Sequence, residues 1–302
     1  MAWLPPFRNN KKLLGVSLTP EGVGICQIDK NAYPLKIICS EFVHCGNELS
    51  TQTQSLAALI EKHHLRKEKA HVILPADSYQ LFLLDANEFL DQDINTSARW
   101  LVKDLIDYPL EEAVVAAFPV PDNIKRINVV VAHLPYLYRL IDSCHKLKLK
   151  IASMSIVELA LLNIMNLVIQ DGHAYVLLFI NNGTSYLQIA YKNALYIMRR
   201  LEIDESNLNQ ASLTLSEEIN RSLDYFYQQI SQKVPTLINI AIANSEIESE
   251  FFAELKKQNP EMELLNLSPA LKKHDANENQ LVVNLVALGA AVERDHDNGK
   301  NS

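Results

Sequence analysis

LLGVSLTPEGVGICQI, residues 13–28, is two apolar runs joined by a Thr-Pro-Glu-Gly turn. Continuous runs of this length suit buried strands, here at 13–18 and 23–29. A third strand-like stretch, rich in β-branched residues, follows at 35–44, set off by Asn31 and Pro34. SLAALIEKH at 55–63 has helical spacing, and a fourth strand is expected at 71–74. The same order returns after the break at Gly172. Strand-like stretches occupy 175–180, 185–191 and 195–199, then a helix 214–231, a buried strand 237–243 and a helix 245–257. Only the order of elements repeats; the residues themselves are unlike. The pattern predicts two α/β lobes, each on a five-stranded sheet.

Residues 75–150 interrupt this order. Strands are expected at 80–84, 114–118 and 128–133, and an amphipathic helix at 97–106 with Trp100, Leu101 and Leu105 on one face, ended by Tyr108-Pro109. Pro135 suits the first turn of a helix at 136–147 that turns Leu137, Leu140, Ile141 and Cys144 inward. The stretch reads as a small α/β subdomain inserted in the first lobe. A strongly apolar helix at 156–168 leads to the second lobe. There, Thr214-x-x-Glu217 predicts a capping box at the head of the 214–231 helix, with Ile219, Leu223, Phe226 and Ile230 inward and Arg221 and Asp224 as a solvated pair. The domain reading is a flexible arm at 1–12, a first lobe at 13–170, a second lobe at 171–294 and a disordered tail at 295–302. The last helix, 281–294, is expected to pack back toward the first lobe.

Composition removes several functions. Of the 302 residues 48% are hydrophobic and 21% charged, which supports a packed core. The formal charge of −8 gives no pull toward nucleic acid, whose binding needs basic patches. No apolar stretch approaches the ~20 residues of a membrane span, and the start lacks the apolar core of a signal peptide, so a cytoplasmic protein is expected. Trp3, Leu4 and Phe7 beside Arg8, Lys11 and Lys12 suggest weak peripheral attachment to a membrane. Cys26, Cys39, Cys45 and Cys144 form no C-x-x-C, and the adjacent His63 and His64 cannot converge from one helix, so no metal site is expected. There are eight glycines where roughly twenty would be usual. No P-loop, no G-x-G-x-x-G and no G-x-S-x-G occurs.

Six segments, taken in order, resemble the actin/Hsp70-like (ribonuclease H-like) superfamily. Residues 13–28 resemble its first phosphate loop. SIVELALLNI (155–164) resembles the connecting helix that carries a glutamate, and LLFINNGTSYLQIA (177–190) with YIMRRLEI (196–203) resembles the second phosphate hairpin. LSEEINRSLDYFYQQ (215–229) is similar to the Arg-Ser-Leu-Asp-Tyr helix of PilM, the actin-like assembly protein of type IV pili, and LVALGAAVE (285–293) to the helix that closes that family. SARWLVKDLIDYPLEEAV (97–114) resembles the inserted subdomain of MshI, the PilM-like protein of MSHA pilus biogenesis.

The resemblance implies a two-lobed fold with a nucleotide cleft at Gly15, Ser17, Thr19, Asn181, Gly183 and Thr184, and Glu158 at the position that orients the attacking water. The departures bear on mechanism. Ser17 and Asn181 stand where the family has aspartates that hold the Mg²⁺ water shell, Thr19 replaces a loop glycine, and Ala243-Asn244 stands where two glycines meet adenosine. Serine and asparagine offer only neutral oxygens. The implied role is therefore a scaffold rather than an enzyme, with no ATP or Mg²⁺ required. Its expected partner is the cytoplasmic tail of a bitopic inner-membrane protein of the PilN or MshJ kind, held in a groove between the first lobe and the inserted subdomain, with Trp100 as the candidate lining residue. The alternative is an active ATPase or a phosphotransferase of the same superfamily.

Overall fold

The computed structural model describes residues 12–293 except 30, 86–93, 122, 170, 231 and 273–277. The expected arm, the tail and the membrane-attachment residues lie outside that range, apart from Lys12. The first lobe opens with β1 (Lys12–Thr19), β2 (Gly22–Asp29), β3 (Lys36–His44), α1 (Leu49–Lys62) and β4 (Lys69–Ile73). The insertion follows as β5 (Tyr79–Asp85), α2 (Ile94–Leu101), β6 (Ala113–Val120) and β7 (Asn123–His133). Next come α3 (Leu134–Lys146), β8 (Lys150–Ser155) and the connecting helix α4 (Val157–Val168). The second lobe is β9 (Ala174–Asn181), β10 (Thr184–Tyr191), β11 (Ala194–Glu202), α5 (Leu208–Ile230), β12 (Thr236–Ile242), α6 (Glu248–Gln258) and β13 (Glu263–Leu264), and α7 (Glu278–Val283) and α8 (Leu285–Ala291) end the fold.

Two five-stranded sheets have matching orders, β3-β2-β1-β4-β8 and β11-β10-β9-β12-β13, and the insertion forms a third sheet, β5-β7-β6. In both large sheets the three leading strands are antiparallel and the rest add in parallel. Helices α4 and α8 lie between the sheets. Tyr175, Leu177 and Phe179 of β9 share one core with Leu161 and Ile164 of α4 and with Leu285 and Leu288 of α8. The alternate β9 residues, Val176, Leu178 and Ile180, face α5 and α6. On the other side, Leu14, Val16 and Leu18 pack on α1 and α3. The layers thus run helix, sheet, helix, sheet, helix. Strands covered on both faces need apolar residues at every position, which is why residues 13–18 do not alternate.

Several elements differ from expectation. Strand β8 was not foreseen: KIASMS pairs in parallel with β4 and completes the first sheet. Helix α3 buries Leu137, Leu140 and Cys144 in one core with β1 and α1, a core that Tyr79 of β5 and Ala132 of β7 also enter. Helix α5 starts at Leu208, six residues ahead of the predicted cap. Asn207 Oδ1 accepts from the Gln210 N–H there, while the Thr214 hydroxyl donates back to Gln210 O inside the helix. Arg221 pairs with Glu218 at 3.0 Å rather than with Asp224. The closing helix is two pieces, broken at Asn284, whose Nδ2 donates to Ile25 O at 2.6 Å and Ser40 Oγ at 2.9 Å.

Candidate functional site

The sequence-predicted residues collect where the tips of the first hairpins of the two lobes approach each other. They are occupied by one another and by side chains the sequence reading had not singled out. At the first tip, Ser17 is buried at the end of β1. Thr19 O accepts from Gln52 Nε2 of α1 at 2.7 Å, and the same amide nitrogen donates to Gly46 O. Across the gap, Asn181 Nδ2 donates to Glu21 Oε2 at 3.2 Å, so the two tips are joined directly.

At the second tip, the Gly183 N–H donates to Glu205 Oε1 at 2.7 Å, and Glu205 Oε2 accepts from Asn244 Nδ2 at 3.1 Å. A carboxylate of the chain therefore sits on the Gly183 N–H and ties it to Asn244, two positions at which the resemblance implied nucleotide contacts. Thr184 follows as the first residue of β10, its register partners being Asn181 and Glu202. A nucleotide phosphate would have to displace Glu205 and bring its negative charge beside Glu21. The donor set at Ser17 and Asn181 is neutral and does not fit a Mg²⁺–phosphate group.

Gly15 is not a loop residue. It lies inside β1, and a Cβ there would overlap Ala287 O and Ala291 N of α8. Its role is to let the closing helix rest on the strand.

Glu158 is committed elsewhere. It is 3% exposed in the first turn of α4. The Tyr79 hydroxyl donates to Oε2 at 2.5 Å, Arg200 Nη2 donates to Oε1 at 2.8 Å, and Gln188 Nε2 donates to the backbone oxygen at 2.9 Å. Arg200 also donates to Ala76 O at 2.7 Å and lies over the rings of Tyr79 and Tyr186. Burial, and then the Glu158 charge, push the Tyr79 phenol well above its ordinary range, so it stays a donor. This arginine of the second lobe thus clasps the first lobe and the connecting helix, and both carboxylate oxygens are taken. The signal was legible in principle. Adjacent Arg199 and Arg200 on a strand must point to opposite faces. Arg199 pairs with the buried Glu218 of α5 at 2.6 Å, and Arg200 with Glu158 on the other side.

Trp100 is 63% exposed. Ala98 and Val102, not Trp100, face the insertion's core with Val129 and Val131, and Leu105 is exposed as well. The helix is short, and its small residues fit the sheet closely enough to leave the indole outside. It lines an open concavity of about 710 Å³ with Ile106, Tyr108 and Leu110, remote from the lobe tips in sequence and in lining residues.

No protein-family profile and no curated protein matches the chain. Solved structures do. That of the PilM–PilN type IV pilus biogenesis complex superimposes with TM-score 0.71 at 14% identity, over 93% of this chain and 99% of that one. The cytoplasmic domain of EpsL, an inner-membrane component of the type II secretion system of Vibrio cholerae, gives TM-score 0.54 at 14% identity, over 94% and 96%. A Bacteroides thetaiotaomicron protein described as having an actin-like ATPase fold and unknown function gives 0.51 at 11% identity, over 94% and 99%. The chain has the actin-like fold. The two tips and α4 are the segments at which the sequence resemblance implied phosphate loops and a connecting helix. Among the described residues no helix is long and apolar enough to cross a membrane, and no three His, Cys, Asp or Glu side chains converge as metal ligands.

Proposed function

We propose that this protein is a non-enzymatic scaffold on the cytoplasmic face of the inner membrane. It serves type IV pilus biogenesis of the MSHA kind and holds the cytoplasmic N-terminal peptide of a bitopic partner resembling PilN or MshJ. The observation that carries this is the likeness to a chain of the PilM–PilN complex over almost the full length of both chains. The cleft chemistry supports it. Phosphoryl transfer depends on positioned charge. Here Ser17 and Asn181 are neutral, Glu205 covers the Gly183 N–H, and Glu158 is held by Tyr79 and Arg200. A scaffold needs none of that machinery, only a fixed shape.

The tail's expected place is a groove between the first lobe and the insertion, and exposed Trp100 of the insertion is the candidate aromatic anchor, although the concavity it lines is built from residues 100–111 alone. Calorimetry with synthetic N-terminal peptides of bitopic pilus-assembly proteins tests the reading. Binding with Kd in roughly the micromolar range, about −8 kcal/mol, is expected. Trp100→Ala should weaken it by about tenfold or more, as loss of an aromatic anchor does. Absence of heat with every such peptide well above micromolar concentration would remove the scaffold assignment.

A further inference from the structure

The first sheet is basic at the end opposite the tip that carries Ser17 and Thr19. There the register lines up Lys36 of β3, Asp29 of β2 and Lys12 of β1, and it pairs Lys69 of β4 with Lys150 of β8. Strands β1 and β4 are parallel with Leu14 beside Ala70, so both sets lie on one edge. Five strands at ~4.8 Å spacing make that edge about 19 Å wide. The loops that enter β4 and β8 run together along it. The Lys67 N–H donates to Lys148 O at 2.8 Å, and the Lys150 N–H donates to Glu68 O at 3.0 Å. Lys12, Lys36, Lys67, Lys69, Lys148 and Lys150 are all exposed. The chain as a whole carries −8, so this edge runs against the composition.

Local structure does not account for these charges. Lys62 and Lys146 lie in the last turns of α1 and α3, where a cation offsets the helix dipole, and they pair with Glu41 and Asp142. The edge lysines differ: no ion pair of Lys36, Lys67, Lys69, Lys148 or Lys150 occurs among the described residues. The carboxylates at the same end are Asp29, Glu61 and Glu68. Glu61 is held by Arg66, and Asp29 and Glu68 have partners of their own. Lys67 and Lys148 also have left-handed backbones, with φ of 70° and 61°. Glycine or asparagine fits such positions at lower cost. Two further features say what covers the edge. Tyr33, 85% exposed, stands in the β2–β3 connection at this end. Residues 1–11 join the fold here through Lys12, and they carry Trp3, Leu4 and Phe7 beside Arg8 and Lys11. Aromatic and apolar side chains among basic ones suit a water–lipid boundary with anionic headgroups. A nucleic-acid duplex would use the lysines but not Leu4 or Phe7.

We infer that this end of the first lobe is the face with which the protein rests on an anionic lipid surface. The edge lysines meet lipid phosphates, and Tyr33 sits at the headgroup level. The tip with Ser17 and Thr19, at the other end of β1, then stands ~20 Å farther from the lipid, at about 3.3 Å per residue. The inference rests on the reading that the protein works at an inner-membrane surface. No partner peptide enters its test, so the two assignments fail separately.

Sedimentation of the full chain with vesicles tests it, using equal parts of phosphatidylglycerol and phosphatidylcholine against phosphatidylcholine alone. Binding to the anionic vesicles only, weakened by salt, is expected. Each basic residue close to such a surface is worth about fivefold in affinity. Lys148→Glu/Lys150→Glu should therefore weaken binding at least ~25-fold, and Lys148→Arg/Lys150→Arg should bind as wild type does. Lys103→Glu/Arg139→Glu makes the same change in net charge at exposed positions off this edge and should weaken binding less than about fivefold. All four positions are exposed, so each variant should melt within about 3 °C of wild type. Absence of binding, equal binding to both kinds of vesicle, or equal weakening by the two glutamate variants overturns the assignment. So does duplex DNA bound more tightly than the vesicles through the same lysines.

Discussion

Glu158 and Arg200 show how one pair of residues carries different work here from the one its position suggests. In the family that the sequence resembles, the glutamate orients water; in this chain Tyr79 and Arg200 hold both of its oxygens. Removing one partner of a buried ion pair strands the other, at a cost of about 3–5 kcal/mol when both are fully buried. The Arg200 side chain is 32% exposed, so about 1–3 kcal/mol is expected for Glu158→Ala, a melting temperature lower by roughly 2–10 °C. The double variant Glu158→Ala/Arg200→Ala should lose less than the sum of the two single losses, which denaturant unfolding measures directly. Additive losses would mean that the clasp has no energetic weight. A second local contact sets a pH dependence. Glu41 of β3 is held below its ordinary range, first by the Lys62 ammonium at 2.7 Å and then by His63. A carboxyl with a depressed folded-state pKa adds stability above its unfolded value near 4.5 and loses it as pH falls through the folded value. Wild type should therefore melt above Glu41→Gln at pH 6, and the gap should close below pH ~4. A gap that persists into stronger acid would assign the effect to something other than ionisation.

The closing helix α8 is apolar on all sides because it is covered on all sides, by β1, β2, β4 and α4. Small residues are what let it fit. A Cβ on Gly289 would overlap the backbone of Ala160 in α4, just as one on Gly15 would overlap α8 from the strand side. Neither glycine has a neighbour able to swing away, since the obstacles are backbone atoms. Gly289→Ala should cost about 1–3 kcal/mol through overpacking, read as a lower midpoint in urea with an unchanged slope. A neutral result would show that the α4–α8 crossing is looser than described. These elements also mark what the sequence could and could not reveal. Residues 13–28 and 175–199 were legible because strands buried on both faces leave uninterrupted apolar runs. KIASMS was not, because β8 is an edge strand whose polar residues break the pattern, and only its parallel pairing with β4 defines it. The start of α5 was missed because Asn207 caps it while a capping-box pattern recurs by chance about two turns later. The inward face of α2 was not legible because Trp100, Leu101 and Leu105 dominate any amphipathic count, whereas Ala98 and Val102 are what fit against the sheet.

The two lobes, the insertion and the shared α4–α8 layer are joined by contacts that leave the central cleft little freedom: Arg200 to Ala76 and Glu158, Asn181 to Glu21, and Arg126 to Tyr225. The resemblance singled out Ser17 and Asn181, and the structure places them at the tips of the two first hairpins, where Asn181 meets Glu21. Glu205 was not legible, because nothing local marks a carboxylate that folds back onto a glycine N–H twenty-two residues before it. Its removal should loosen the second tip: Glu205→Gln keeps one hydrogen-bond acceptor but loses the charge, and exchange at the Gly183 amide should rise severalfold. A cleft satisfied from within has no place for nucleotide. Thermal unfolding of the full chain with saturating Mg-ATP reads this most directly. A ligand at a hundred times its Kd stabilises by about 2.7 kcal/mol, which is at least several degrees for a protein of this size. The melting temperature is predicted to stay within about 1 °C of the nucleotide-free value, the response of a fold with no affinity for the ligand; a rise of several degrees, abolished by EDTA, would contradict it.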